Sequence, residues 1–194
     1  MGRSRATLTG LVCAFAALAT PAAAFTAIDP LTRKPLYDVE EPVRAQASPV
    51  RREIVSFDGG HAPGTIIVST RERRLYYVLG NGQAMRYGVG VGRPGFQWGG
   101  AHSVTLKREW PDWRPPAAML RRRPDLPRHM AGGPDNPLGA RALYIGSTIY
   151  RIHGSNEPET IGEAVSSGCI RMTNDDVMDL YNRARIGSRV IVQR

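Results

Sequence analysis

The chain has 194 residues, with 26 Lys or Arg against 17 Asp or Glu and a formal net charge of +9 at pH 7. That length fills one well-buried domain and hardly two. The positive balance makes anionic polymers the natural partners, and the one cysteine expected to remain after leader removal is too few for a thiolate zinc site.

Residues 1–24 read as a secretion leader. Arg3 and Arg5 form its basic end, 8–19 its apolar core, and Ala22, Ala23 and Ala24 its small-residue cleavage site. The core of about a dozen residues is short of the roughly 20 that cross a membrane, so no integral span is expected in the mature chain. Gly10-Leu11-Val12 before Cys13 does not form a lipoprotein cleavage box. Cleavage after residue 24 leaves 170 residues starting at Phe25, and because the leader carries two arginines and no acids the charge falls to +7. An exported chain of this charge meets anionic envelope polymers before nucleic acid, so no nucleic-acid partner is expected. Cys169 is left as a lone thiol where thiols tend to be oxidised.

Residues 25–60 hold Pro30, Pro35, Pro42 and Pro49 among charged residues and read as an extended lead-in, with Arg51 and Arg52 solvated. From residue 65 the pattern turns to short Val-, Ile- and Tyr-rich runs between glycine turns, which predicts strands at 65–69, 74–79, 83–91 and 103–107. Gly80-Asn81-Gly82 turns the second into the third. Gly90 to Gly95 fits the G-x-G-x-x-G spacing, but Pro94 lacks an N–H and Gly99-Gly100 would break the helix that motif must open, so it reads as a turn.

Trp110 and Trp113 stand in a proline-stiffened loop, as irregular core or as a lip of a substrate groove. The long connection 110–138 has no clear period and reads as a candidate lid, its Arg121-Arg122-Arg123 run as a solvated face or a collector of anionic polymer. Residues 132–140 carry turn chemistry. Strands at 142–145 and 149–153 form a hairpin around Gly146-Ser147 that delivers His153 to a strand end. A helix spans 174–184, with Val177, Leu180, Tyr181 and Ala184 on one face and Thr173 as its cap, and a closing strand follows at 189–192.

The chemistry concentrates in 152–172. A thiol attacks a carbonyl as thiolate, so a catalytic cysteine needs a base and donors aimed at the oxyanion. His153, sixteen positions before Cys169, can meet it if a strand end and a loop fold together. The small residues Ser167 and Gly168 let backbone N–H groups converge beside the sulfur as an oxyanion hole. Arg171 could hold a carboxylate or favour the thiolate, and Asn156 could orient His153, bind substrate or build a turn. A catalytic Cys169 should alkylate quickly near neutral pH, and more slowly in His153→Ala. By residue types alone, a lone cysteine is as a rule a buried hydrophobe and a lone histidine a satisfied core or surface residue. No H-x-H or H-E-x-x-H spacing occurs, so neither metal nor cofactor is expected.

HGSNEP, SSGCIRM and NDDVMDLYNRA together resemble the active-site region of the L,D-transpeptidase (YkuD-type) catalytic domain, and the resemblance extends from about His61 to Arg194. Many members carry histidine directly before the Gly-Cys, where this chain has Ser167. The resemblance implies a mainly β, sandwich-like mixed sheet with one or two short helices and a groove holding the cysteine. It implies acyl transfer in the periplasm: Cys169 attacks a peptidoglycan tetrapeptide stem with His153 as base, the Gly154 carbonyl orients the imidazole, D-alanine leaves, and an amine takes the acyl group to form a 3-3 cross-link. Carbapenem acylation of Cys169 is implied as well. Water as acceptor, an outer-membrane protein amine, a non-catalytic wall-binding module and a general cysteine protease stay open as alternatives.

Overall fold

A computed structural model describes residues 48–194. The leader, Cys13 and the lead-in through residue 47 lie outside the described residues. The described chain is mainly β, with a mixed sheet and few helices.

Nine strands join in one sheet. In spatial order they are β1 (Glu53–Ser56), β4 (Gln83–Gly88), β3 (Arg74–Gly80), β2 (Ile66–Ser69), β11 (Arg189–Gln193), β6 (Gly100–Glu109), β7 (Arg141–Ile145), β8 (Arg151–His153) and β10 (Ile170–Arg171). β5 (Val91–Gly92) and β9 (Ala164–Ser166) pair separately. β6 serves both halves: Gly100 to Ser103 pair with β11, and Val104 to Glu109 with β7. One apolar core is shared between them, with Ile66, Leu75, Tyr87 and Val190 from one half and Leu143, Ile145, Ile152 and Met172 from the other. β2, IIVS, is buried along its whole length, as its β-branched run predicts for a central strand.

Helix α2 (Asn174–Arg183) inserts Val177, Leu180 and Ala184 into that core. Thr173 caps it by accepting from the Asp176 N–H at 3.2 Å, and Lys107 donates to the Ala184 carbonyl at 2.7 Å at the other end, satisfying groups that a helix terminus leaves open. Tyr87 reaches out of the core to donate to Asp179. The helix behind the cysteine segment is therefore anchored at both ends and along one side.

The lead-in reading needs amendment at its end. Glu53–Ser56 joins the sheet antiparallel to β4, with Val55 opposite Ala84 and an ion pair between Glu53 and Arg86. As an exposed edge strand it needs no apolar alternation, so it left no periodic signal. Arg52, expected to be solvated, lies 3.5 Å from Asp176 and 3.7 Å from Asp179. The single strand expected at 83–91 stops at Gly88, and the chain then turns so that β5 can pair with β9. Within 110–138 lies a short helix, α1 (Ala117–Arg122), started by Pro115-Pro116 and too short to show a period.

Candidate active site

β8 and β10 run parallel, with Ile170 opposite Ile152 and Arg171 opposite His153. Side chains alternate along a strand, so Arg151 and His153 share a face of β8 while Cys169 and Arg171 share the matching face beside it. Pairing thus closes the gap of sixteen positions to neighbouring strands. His153 and Cys169 line one cavity of about 280 Å³.

His153 is 4% exposed and its Nδ1 lies 2.6 Å from the Gly154 carbonyl oxygen. A carbonyl only accepts, so Nδ1 carries the proton and donates, and Nε2 keeps its lone pair. Burial lowers the imidazole pKa to about 3, with the positive charges of Arg171 and Arg151 adding to the effect against the pull of the Gly154 carbonyl. Burial likewise pushes the Cys169 thiol up, while backbone and side-chain hydrogen bonds from Arg151 and the charges of Arg151 and Arg171 pull it down. Both groups are therefore neutral at rest. A thiol held above its ordinary range runs against the expectation of fast alkylation near neutral pH, since only thiolate reacts.

Gly154 has a steric reason. A Cβ there would overlap Asn174 Oδ1, which accepts from the Ala140 N–H at 2.9 Å, and would come within 3.0 Å of that same nitrogen. The first residue of α2 thus occupies the space that any side chain after His153 would need.

The segment ahead of Cys169 is clamped. Gly168 sits at φ +111, and a Cβ on it would overlap the Tyr150 ring. The other side of the clamp is Trp98, stacked on Tyr150 with centroids 4.5 Å apart and donating from Nε1 to the Gly168 carbonyl at 2.6 Å. The Gly168 N–H donates to Ser166 Oγ at 3.0 Å, and Ser166 Oγ donates on to the Cys169 carbonyl at 2.7 Å. Of the two positions expected to supply oxyanion donors, Gly168 therefore has its amide engaged within the turn. The Cys169 N–H makes no hydrogen bond to protein among the described residues, and Ser167 lines the cavity.

The remaining expected residues separate. Arg171 lines the cavity but pairs with Glu157 at 2.8 Å. Asn156 also lines it and donates to the Asp135 carbonyl at 3.1 Å, tying the turn to 132–140, while the hydrogen bond that orients the His153 ring goes to Gly154. Trp113 is in the cavity wall with Met119 and Leu126 of the long connection. Trp110 is not: it lines a second cavity of about 430 Å³, with φ +39 and its N–H on the Ala140 carbonyl. Of the arginine run, Arg123 pairs with Asp125 and Arg122 lies over Phe96. Sequence reasoning passed over Trp98, Tyr150, Arg151, Ser166 and Asn174. The third tryptophan, beside Gly99-Gly100, was the one available signal among them.

Among the described residues, no group of three or more His, Cys, Asp or Glu is placed to hold a metal ion, and no helix is long and apolar enough to cross a membrane.

Residues 63–192 match the family model described as YkuD, the L,D-transpeptidase catalytic domain. The protein named Probable L,D-transpeptidase ErfK/SrfK of Escherichia coli (strain K12) is 38% identical over 134 residues, covering 64% of this chain and 42% of that protein. A crystal structure described as a Probable carnitine operon oxidoreductase caia from Brucella melitensis is 41% identical, covers 75% of this chain and 96% of that one, and superposes with a TM-score of 0.51. An L,D-transpeptidase structure from Mycobacterium smegmatis, 16% identical with a TM-score of 0.56 over 69% of this chain and 59% of that one, is similar in fold. The chain thus matches about two fifths of the length of ErfK/SrfK.

Proposed function

Because the chain belongs to the YkuD family of L,D-transpeptidase catalytic domains, we propose that it is a cysteine acyltransferase acting on the tetrapeptide stems of peptidoglycan. One observation carries the reading: His153 Nδ1–H is fixed on the Gly154 carbonyl in the cavity that also holds Cys169. That tautomer leaves Nε2 free to take the thiol proton, with a carbonyl orienting the ring as a carboxylate does in serine enzymes.

In the proposed reaction, the Cys169 sulfur attacks the carbonyl of the third stem residue at its L-centre while His153 takes the thiol proton. The C–N bond to the terminal D-alanine then breaks, and the imidazolium returns the proton to the leaving amine. A thioester remains. The oxyanion that forms on the way is met by the Cys169 N–H, where one such donor is worth roughly 3 kcal/mol. An amine from a second stem peptide then attacks the thioester, its proton passing through His153, and the C–S bond breaks to leave a cross-link between two third residues.

Carbapenem acylation of Cys169, export by the 1–24 leader to the periplasm, and an outer-membrane protein amine as a further acceptor belong to the same proposal. A nicotinamide oxidoreductase reading finds no support in the glycine motif, because 90–95 runs through β5 into a turn closed by the Phe96 N–H on the Arg93 carbonyl, and opens no helix.

The test is to incubate the protein with disaccharide-tetrapeptides and separate the products by mass. A dimer short of one alanine, absent with Cys169→Ala, is the expected result. A tripeptide monomer alone would mean hydrolysis, and no product from either protein would leave a wall-binding module.

A further inference from the structure

The second cavity shares Arg151 with the first. Its carboxylates are already engaged, Glu109 with Arg141 at 3.1 Å and Asp112 with His129 at 3.0 Å. Its three guanidiniums, Arg108, Arg114 and Arg151, form no ion pair among the described residues. The other cavity-lining arginines beside the sulfur are taken, Arg171 by Glu157 and Arg123 by Asp125. Arg151 lies over the Tyr144 ring at 4.8 Å, its Nε is buried without a hydrogen-bond partner, and its side chain also bonds to the Cys169 thiol and draws its pKa down. What recommends Arg151 is its place in the walls of both cavities with no carboxylate on it, since a guanidinium presents a planar fork that fits a carboxylate.

We propose that Arg151 is the carboxylate receptor of this site, binding the α-carboxylate of the departing D-alanine and then that of the incoming amine. The inference rests on the proposed function and adds a specificity-determining residue to it. The two amines are chemically alike. D-alanine leaves as an amine whose carbon bears a carboxylate, and the side-chain amine of a diaminopimelate stem is carried on a carbon of the same kind. The acylation step run backwards is attack by D-alanine on the thioester, so an acceptor must enter along the path the leaving group took. Each pass breaks one C–S bond, forms one C–N bond and moves one proton from amine to thiolate. Arg108 and Arg114 extend the positive charge outwards and would hold the rest of an anionic acceptor strand.

The probe pair is deuterated D-alanine and D-alaninamide, which differ in carrying a carboxylate or a neutral carboxamide. Both are offered as acceptors to the full chain turning over tetrapeptide, products are counted by mass, and rates are compared per free amine. The unmodified protein should favour D-alanine at least tenfold, Arg151→Met should bring the two within about twofold, and Arg151→Lys should fall between, because a lysine keeps the charge and loses the fork. Equal losses on both acceptors in Arg151→Met, with the preference kept, would overturn the inference while leaving the transferase reading intact. If no protein turns tetrapeptide over, the transferase reading fails. The receptor is then decided by titrating D-alanine into Cys169→Ala and Cys169→Ala/Arg151→Met by NMR, where binding lost with Arg151 supports it and no difference sinks it. Thermal melting of each variant separates lost recognition from lost folding.

Discussion

Trp98 Nε1 donates to the carbonyl oxygen of Gly168 at 2.6 Å across 70 positions of sequence, while its ring lies on Tyr150 at an interplanar angle of 9°. The residue before Cys169 is thereby held by the connection between β5 and β6. Trp98→Phe keeps an aromatic face for Tyr150 and removes the donor, so it should cost about 1 kcal/mol in urea denaturation. Thioester formation should slow with KM little changed, because Trp98 does not line the cysteine cavity. Acylation at the full rate in Trp98→Phe would show that the clamp does not orient the nucleophile segment.

Gly168→Ala meets two penalties, a backbone at φ +111 and overlap with the Tyr150 ring. Together they should cost roughly 2–3 kcal/mol of stability and most of the acylation rate. Tyr150→Ala removes the overlap but not the backbone strain, so the double variant should recover part of the loss. Simple addition of the two single effects would mean that the ring is not what excludes a side chain.

His153 gives stability a pH dependence of definite sign. Its folded pKa is lowered from 6.5 to about 3, so between those values the unfolded chain binds a proton that the folded chain does not. Stability contributed by the neutral buried ring is therefore complete above pH 6.5 and lost as pH falls towards 3, at up to about 1.4 kcal/mol per unit. Urea midpoints should fall across that window, and less steeply in His153→Asn. Equal slopes in the two proteins would show that the ring is not held neutral by the fold.

Cys169 moves the other way, with burial holding the thiol above its ordinary range. Iodoacetamide labelling should be slow at pH 7 and rise about tenfold per pH unit through pH 8.5, since only thiolate reacts. Arg171→Met removes a charge that favours thiolate and should shift the curve to higher pH. A plateau reached below pH 7 would contradict the neutral resting pair.

Asn136 holds the long connection in place. It is 1% exposed, its Nδ2 donates to the carbonyls of Pro111, Met130 and Ala131, and its Oδ1 accepts from the Leu138 N–H at 2.8 Å. Asn136→Ala orphans these groups and should cost roughly 2–3 kcal/mol, with a raised KM and faster proteolysis within 110–138. A KM and cleavage rate unchanged from the parent would show that the cavity wall does not depend on this clasp.

Local chemistry carries a long way in this chain. Runs of Ile, Val and Tyr between glycine turns specify β2, β3, β4 and β6 to within a few residues, and the spacing of Val177, Leu180 and Ala184 with Thr173 ahead of them specifies α2. These signals are legible because each depends on residues a few positions apart. β1, β5, β9 and β10 were illegible because short strands take their pairing from partners remote in sequence.

The sequence by itself determined the strand-rich architecture, the closing helix, and a cysteine sixteen positions after the histidine of a His-Gly pair. Tertiary structure alone decided that Trp110 and Trp113 part into different cavities, that the Gly168 amide serves Ser166, that Arg171 is met by Glu157, and that Arg151 lines the cysteine cavity with no ion pair among the described residues. The reason is physical: propensity and periodicity act over one or two turns of chain, whereas burial, ion pairing and the protonation of His153 and Cys169 depend on which distant strands come to lie side by side.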